Sequence, residues 1–167
     1  MEYQSSTESP AAAPSLAAAA SPTSVVPAAT PSVRVHPGSC HCGAVRFSAR
    51  IDLSASASRC NCSICQKLGG LTAIIEPDAF RLVVGAPELG SYAWGGRTET
   101  RYFCKHCGVH VFARGHLPEL GGDHVSVNVN ALDDVDPNTL GVVHWDGRHD
   151  NWHAGPRSQP WPVFTLP

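Results

Sequence analysis

The stretch "HVSVNVN", residues 124–130, decides the fold. Val125, Val127 and Val129 alternate with Ser126, Asn128 and Asn130, so an extended chain sends valines to one face and polar groups to the other. Period two in β-branched residues reads as a strand with a covered face. The pattern recurs in both directions along the chain. "AVRFSAR" (44–50) sets Val45 and Phe47 against Arg46 and Ser48, and "VHVFAR" (109–114) alternates again. "LTAIIE" (71–76), "FRLVV" (80–84) and "TETRYF" (98–103) are further short runs of strand character. Breaks are frequent: 15 Gly and 14 Pro punctuate the chain, as in "GAPELG" (85–90), "WGGR" (94–97) and "LPELGG" (117–122). Helical signal is confined to a turn or two at "SICQKL" (63–68), stopped by Gly69 and Gly70. The expected fold is therefore mainly β, a small domain of short antiparallel strands with little helix and no internal repeat. Such a domain has a modest core and gains from a bound metal.

The chain has 167 residues, 43% of them hydrophobic, which suits one domain with a tail. A formal net charge of -2 leaves no basic surplus for a nucleic-acid backbone or an anionic membrane. No apolar run reaches the roughly 18 residues of a membrane span. Residues 1–34 are mostly Ala, Pro, Ser, Thr and Val. "AAAPSLAAAA" (11–20) follows the acidic Glu2 and Glu8, and the first basic residue is Arg34, so neither a secretory signal nor a transit peptide is indicated. Residues 1–34 are expected to be a disordered Pro/Ala/Ser-rich tail and residues 35–167 the folded domain, in a cytoplasmic setting where thiols stay reduced.

All seven cysteines fall into three groups: Cys40 and Cys42; Cys60, Cys62 and Cys65; Cys104 and Cys107. Seven is odd, and C-x-C rings are too tight for comfortable disulfides. Zinc accounts for the number better, since it takes four tetrahedral ligands and favours thiolate sulfur. Two short pairs make one closed, structural site: Cys40, Cys42, Cys104 and Cys107. The triplet Cys60, Cys62 and Cys65 makes an open, catalytic one with its fourth position free, so two zinc ions per chain are expected. Gly43 and Gly108 follow the two pairs, where a tight turn requires positive φ.

Read in this order, "GSCHCGAVRF" (38–47), "CNCSICQKLGG" (60–70) and "YFCKHCGVHVF" (102–112) resemble the glutathione-dependent formaldehyde-activating enzyme family, which includes centromere protein V. "VVHWDGRHDNWHAGP" (142–156) is similar to the family's closing segment, and the resemblance runs from about Val33 to Pro162. It implies small coiled sheets, the same division of the cysteines into structural and catalytic zinc sites, and a carbon–sulfur lyase activity joining glutathione, or a similar thiol, to formaldehyde or another small aldehyde as in S-hydroxymethylglutathione formation. Two alternatives stay open: a non-catalytic zinc-stabilised binding module, and a metal enzyme acting on another thiol-bearing metabolite.

An open trithiolate site is rich in negative charge, and Arg59, Lys67 and Lys105 are the cations nearest the cysteines in sequence. Lys67 could meet a substrate carboxylate, although a solvated surface lysine is the simpler reading. His41 and His106 lie inside the cysteine pairs and are expected to be exposed or to support the ligands from outside. His110 is a structural histidine or a proton donor. Trp145, Asp146, Asp150 and Trp152 belong to a loop that either rims a pocket or packs on a sheet edge.

Overall fold

The computed structural model describes residues 32–54, 57–118 and 121–164. Two sheets face each other. The smaller holds β1 (Arg34–Ser39), β2 (Arg46–Ile51) and β5 (Phe80–Val84) in the order β1-β2-β5. The larger adds β3 (Ala57–Cys60), β4 (Thr72–Ile75), β6 (Leu89–Ala93), β7 (Glu99–Cys104), β8 (His110–Leu117), β9 (Gly122–Asn128) and β10 (Val142–Trp145) in the order β10-β3-β4-β9-β8-β7-β6. The expected tail lies outside the described residues up to residue 31, while Arg34, read as its last residue, already opens β1 opposite Ile51.

The strands read from alternation are present, and their inward residues build the core. Val45, Phe47, Ala49 and Ile51 turn inward from β2 and its approach, and Val125 and Val127 do so from β9. Phe80 links the layers, with its ring centroid 5.4 Å from Phe47 and 4.5 Å from Phe112. At Gly38 any Cβ would run into the Phe47 ring and the Ala131 carbonyl, so a bare backbone is required there.

Two features differ from expectation. The polar face of β9 is not open to water: His124 and Ser126 are buried, so both sides of the sheet are covered at this strand. One pairing is parallel, β10 beside β3. Residues 129–141 carry the chain from β9 past β4 and β3 to the far side of β3, where β10 runs parallel to it. The single α-helix among the described residues, α1 (Ser63–Leu68), ends on Gly69 at φ 61°, as the Gly-Gly stop predicts. No helix among the described residues is long and apolar enough to cross a membrane.

Candidate metal centres and the adjoining cleft

Two turns of one design bring Cys40, Cys42, Cys104 and Cys107 together. After β1, Gly43 N–H donates to the Cys40 carbonyl at 3.0 Å and Cys40 N–H to the Val45 carbonyl at 3.0 Å. After β7, Gly108 N–H donates to the Cys104 carbonyl at 2.9 Å and Cys104 N–H to the Val109 carbonyl at 3.0 Å. Gly43 and Gly108 have φ of 75° and 73°, the left-handed conformation expected of them. The Sγ atoms of Cys40, Cys42, Cys104 and Cys107 lie within 4.8 Å of one another, with 3.6 Å for both Cys40–Cys42 and Cys42–Cys104. A tetrahedral ion at metal–sulfur distances of about 2.3 Å needs edges of about 3.8 Å, so the four thiols match a metal site. They are far outside disulfide length. Cys107 is held down to about 6 as a thiolate, chiefly by the N–H groups of Val109 and Cys42.

The second group sits where β3 runs into α1. Cys60 ends the strand, Cys62 occupies the N-cap position and Cys65 lies in the helix, which brings their Sγ atoms within 4.8 Å of one another. Hydrogen bonds from Cys60 and Cys65 come first, then the N–H groups of Cys65 and Ile64, in holding Cys62 far below the ordinary thiol range. Hydrogen bonds with Cys60 and Cys62, then burial, push Cys65 up. Ionising all three of these close thiols requires a positive charge among them. These are the groups of three or more metal-ligating side chains found among the described residues.

The family model for the glutathione-dependent formaldehyde-activating enzyme matches residues 35–145. The chain belongs to this family. A Halomonas elongata protein named as a candidate glutathione-dependent formaldehyde-activating enzyme is 42% identical over 78 residues, 42% of this chain and 50% of that protein. The matched region thus spans about half the length of that relative. A crystal structure of a Rhodobacter sphaeroides protein is 35% identical, covers 65% of this chain and 98% of that one, and superposes with a TM-score of 0.58.

In this family member the closing segment forms a wall of the triplet. Asn61, between two of the cysteines, takes part in four bonds to it. Its N–H donates to the Trp145 carbonyl at 3.2 Å, its Nδ2 to Asp146 at 2.7 Å and to the Pro162 carbonyl at 3.2 Å, and its Oδ1 accepts from Arg148 N–H at 2.8 Å. Asp146 is buried, and it also meets His149 Nδ1 at 2.7 Å and Asn151 Nδ2 at 3.3 Å. Burial pushes its carboxyl up, but Asn61, His149 and Asn151 outweigh that and hold it below the usual carboxylate range. Gly147 presses its backbone on Cys60: a Cβ there would lie 2.6 Å from the Cys60 sulfur.

Between triplet and segment lies a cleft of about 290 Å³. Cys60 and Cys65 form one side, and Trp145, Pro160, Trp161 and Val163 form an apolar one. Trp161 is fixed by its Nε1 donating to the His144 carbonyl at 2.9 Å and by the Arg157 guanidinium 3.7 Å from its ring centroid. Arg59 lines the cleft and donates to the Gly69 carbonyl at 3.3 Å. Burial, then the charges of Arg59 and Arg157, keeps His144 neutral. The closing segment thus does both things the sequence left open: β10 pairs with the sheet while Trp145 rims the pocket.

Other singled-out residues fall away from the triplet. Lys67 is exposed on α1 and does not line the cleft. Lys105 donates to the Pro87 carbonyl at 2.7 Å, and His106 pairs with Glu88 on the surface. His41 is exposed. Asp150 accepts from Trp152 Nε1 at 2.6 Å on the outer rim. The Nε2 of His110 is buried without a partner among the described residues, and burial, then the Arg101 charge, keeps the ring neutral. Sequence reasoning missed two residues. Asn61 could have been noticed from its place between two ligands. Arg101, whose Nη2 lies 3.9 Å from the Cys65 sulfur, stands 36 residues away and carries no local signal.

Proposed function

We propose that the chain is a zinc-dependent carbon–sulfur lyase, with a structural zinc on Cys40, Cys42, Cys104 and Cys107 and a catalytic zinc on Cys60, Cys62 and Cys65. It would join glutathione, or a thiol like it, to formaldehyde or another small aldehyde in a reducing, cytoplasmic compartment. One observation carries this: a three-thiol group beside an apolar cleft of about 290 Å³. Three sulfur donors would leave one position of a tetrahedral ion for a substrate, and two of the three, Cys60 and Cys65, line the cleft. The separate four-thiol group has no such need and suits a structural role.

Zinc at the triplet would stabilise the substrate sulfur as a thiolate near neutral pH. The chain's own residues do the rest. The wall of Trp145, Pro160 and Trp161 excludes water and orients the thiol's organic part. Arg59 offers a positive rim for a carboxylate. The substrate sulfur attacks the aldehyde carbon, forming the C–S bond while the carbonyl electron pair moves to oxygen. That oxygen then takes a proton from solvent to give the hydroxymethyl thioether, and reversal breaks the C–S bond. Confinement in the cleft supplies proximity, the main contribution for a reaction that also runs unaided.

The test is exchange NMR of S-hydroxymethylglutathione with its components, comparing the zinc-loaded protein with Cys62→Ser. Faster exchange with the parent alone is expected. Equal exchange for both, with one zinc per chain that ignores glutathione, would remove the enzymatic reading.

A further inference from the structure

On the face of the larger sheet turned toward α1, three chemistry-bearing side chains form a row that ends at Cys65 of the helix. Arg101 Nη2 lies 3.9 Å from the Cys65 sulfur and 2.8 Å from Glu99 Oε2, and Glu99 Oε1 lies 3.8 Å from His124 Nε2. All are largely enclosed, with side-chain exposures of 13% for Arg101, 20% for Glu99 and 4% for His124. The sheet makes room for them. Opposite Arg101 and Glu99 on β8 stand the smallest residues, Ala113 and Gly115. A Cβ on Gly115 would come within 2.8 Å of the His124 ring.

Stability does not explain the row. A largely buried Arg–Glu pair gives back in desolvation most of what it gains in attraction, and apolar residues would fill the space as well. The direction of Arg101 is more telling. One nitrogen of a planar, permanently charged guanidinium, Nη2, is held by Glu99 and at the same time faces a cysteine of the triplet. A divalent ion with three thiolates carries one net negative charge, and a fourth thiolate makes two. Each added charge weakens the next sulfur's binding, so an N–H donor and a cation beside one ligand offset that loss.

Resting on the reading of the triplet as a metal site, we infer that Arg101 is the fixed counter-charge of that site and that Glu99 is its positioning residue. Arg101 lets the triplet keep its metal while a fourth, substrate thiolate joins. The probe is Co²⁺, whose sulfur-to-metal absorption reports each thiolate site, titrated into metal-free reduced protein and followed by glutathione. Arg101→Met should take up the first equivalent like the parent. The second equivalent should bind at least tenfold more weakly, the size of effect usual for groups that support metal ligands. Its absorption band should shift, and glutathione should displace the ion rather than join it. Arg101→Lys should recover part of the affinity, and Glu99→Gln should lose part. A second equivalent bound by Arg101→Met with parental affinity and band overturns the inference while leaving the triplet site intact. A parent that binds one equivalent overturns both. Should Arg101→Met lose the first site as well, Arg101→Gln decides by the same readouts.

Discussion

Gly147→Ala probes whether the closing segment truly abuts the triplet. Gly147 is not among the positive-φ residues, so alanine meets no backbone objection and the test is purely steric. The added methyl would lie 2.6 Å from the Cys60 sulfur and 2.6 Å from the Trp152 ring, more than an ångström inside normal contact. Trp152 is half exposed and can swing away. Cys60 cannot move without leaving the other two thiols. Overpacking of this kind costs about 1–3 kcal/mol. Alanine's smaller unfolded-state entropy returns about 0.4–1 kcal/mol, leaving a net loss of about 1–2 kcal/mol. For a domain of this size that lowers Tm by about 3–8 °C. Elemental analysis should show one metal retained and the triplet's affinity reduced tenfold or more, with exchange of the thiol adduct reduced in parallel. Parental Tm together with parental metal content would show that the segment does not press on the sulfur, and the wall of the cleft would have to be redrawn.

Cys104→Ser should unfold the domain or strongly lower its Tm, because a closed thiolate site contributes folding energy directly, whereas Cys62→Ser should keep the fold and lose the thiol-responsive metal; circular dichroism with metal analysis distinguishes them. Asn61→Ala removes the side-chain link between the triplet turn and Asp146, and should raise KM for the thiol more than it lowers kcat in initial-rate measurements. His110→Phe removes a buried nitrogen that has no partner among the described residues, so at pH 7 Tm should hold or rise. The folded protein lowers the His110 pKa from 6.5, so the unfolded chain takes up the proton more readily and His110 costs stability increasingly as pH falls below 6.5. In the variant, the decline of Tm on the acid side should accordingly be shallower.

Much of this was legible in the chain. Alternation located β2, β8 and β9 because each has one face against the other sheet, and the cysteine spacings grouped the thiols as they come together here. Other strands gave no alternation to read. β1 carries Pro37 and Gly38, β3 has four residues, and β6 and β10 are held at sheet margins by backbone pairing more than by a buried face. Nothing local in "TETRYF" says that Arg101 meets Cys65, because that contact is set by how α1 lies over the sheet. Buried His124 and Ser126 show the same limit: alternation reveals which residues share a face, not whether the second face is also covered.

The two cysteine groups also differ in when they can exist. The triplet lies within six consecutive residues, so its donors are near one another even in an unfolded chain. The four-thiol site joins partners 62 residues apart, one turn from each sheet, and forms only once the sheets have met. The entropy of closing that loop falls on the second site alone. A nascent chain therefore has the triplet's three donors side by side as soon as residue 65 is made, whereas the four-thiol set waits for the fold.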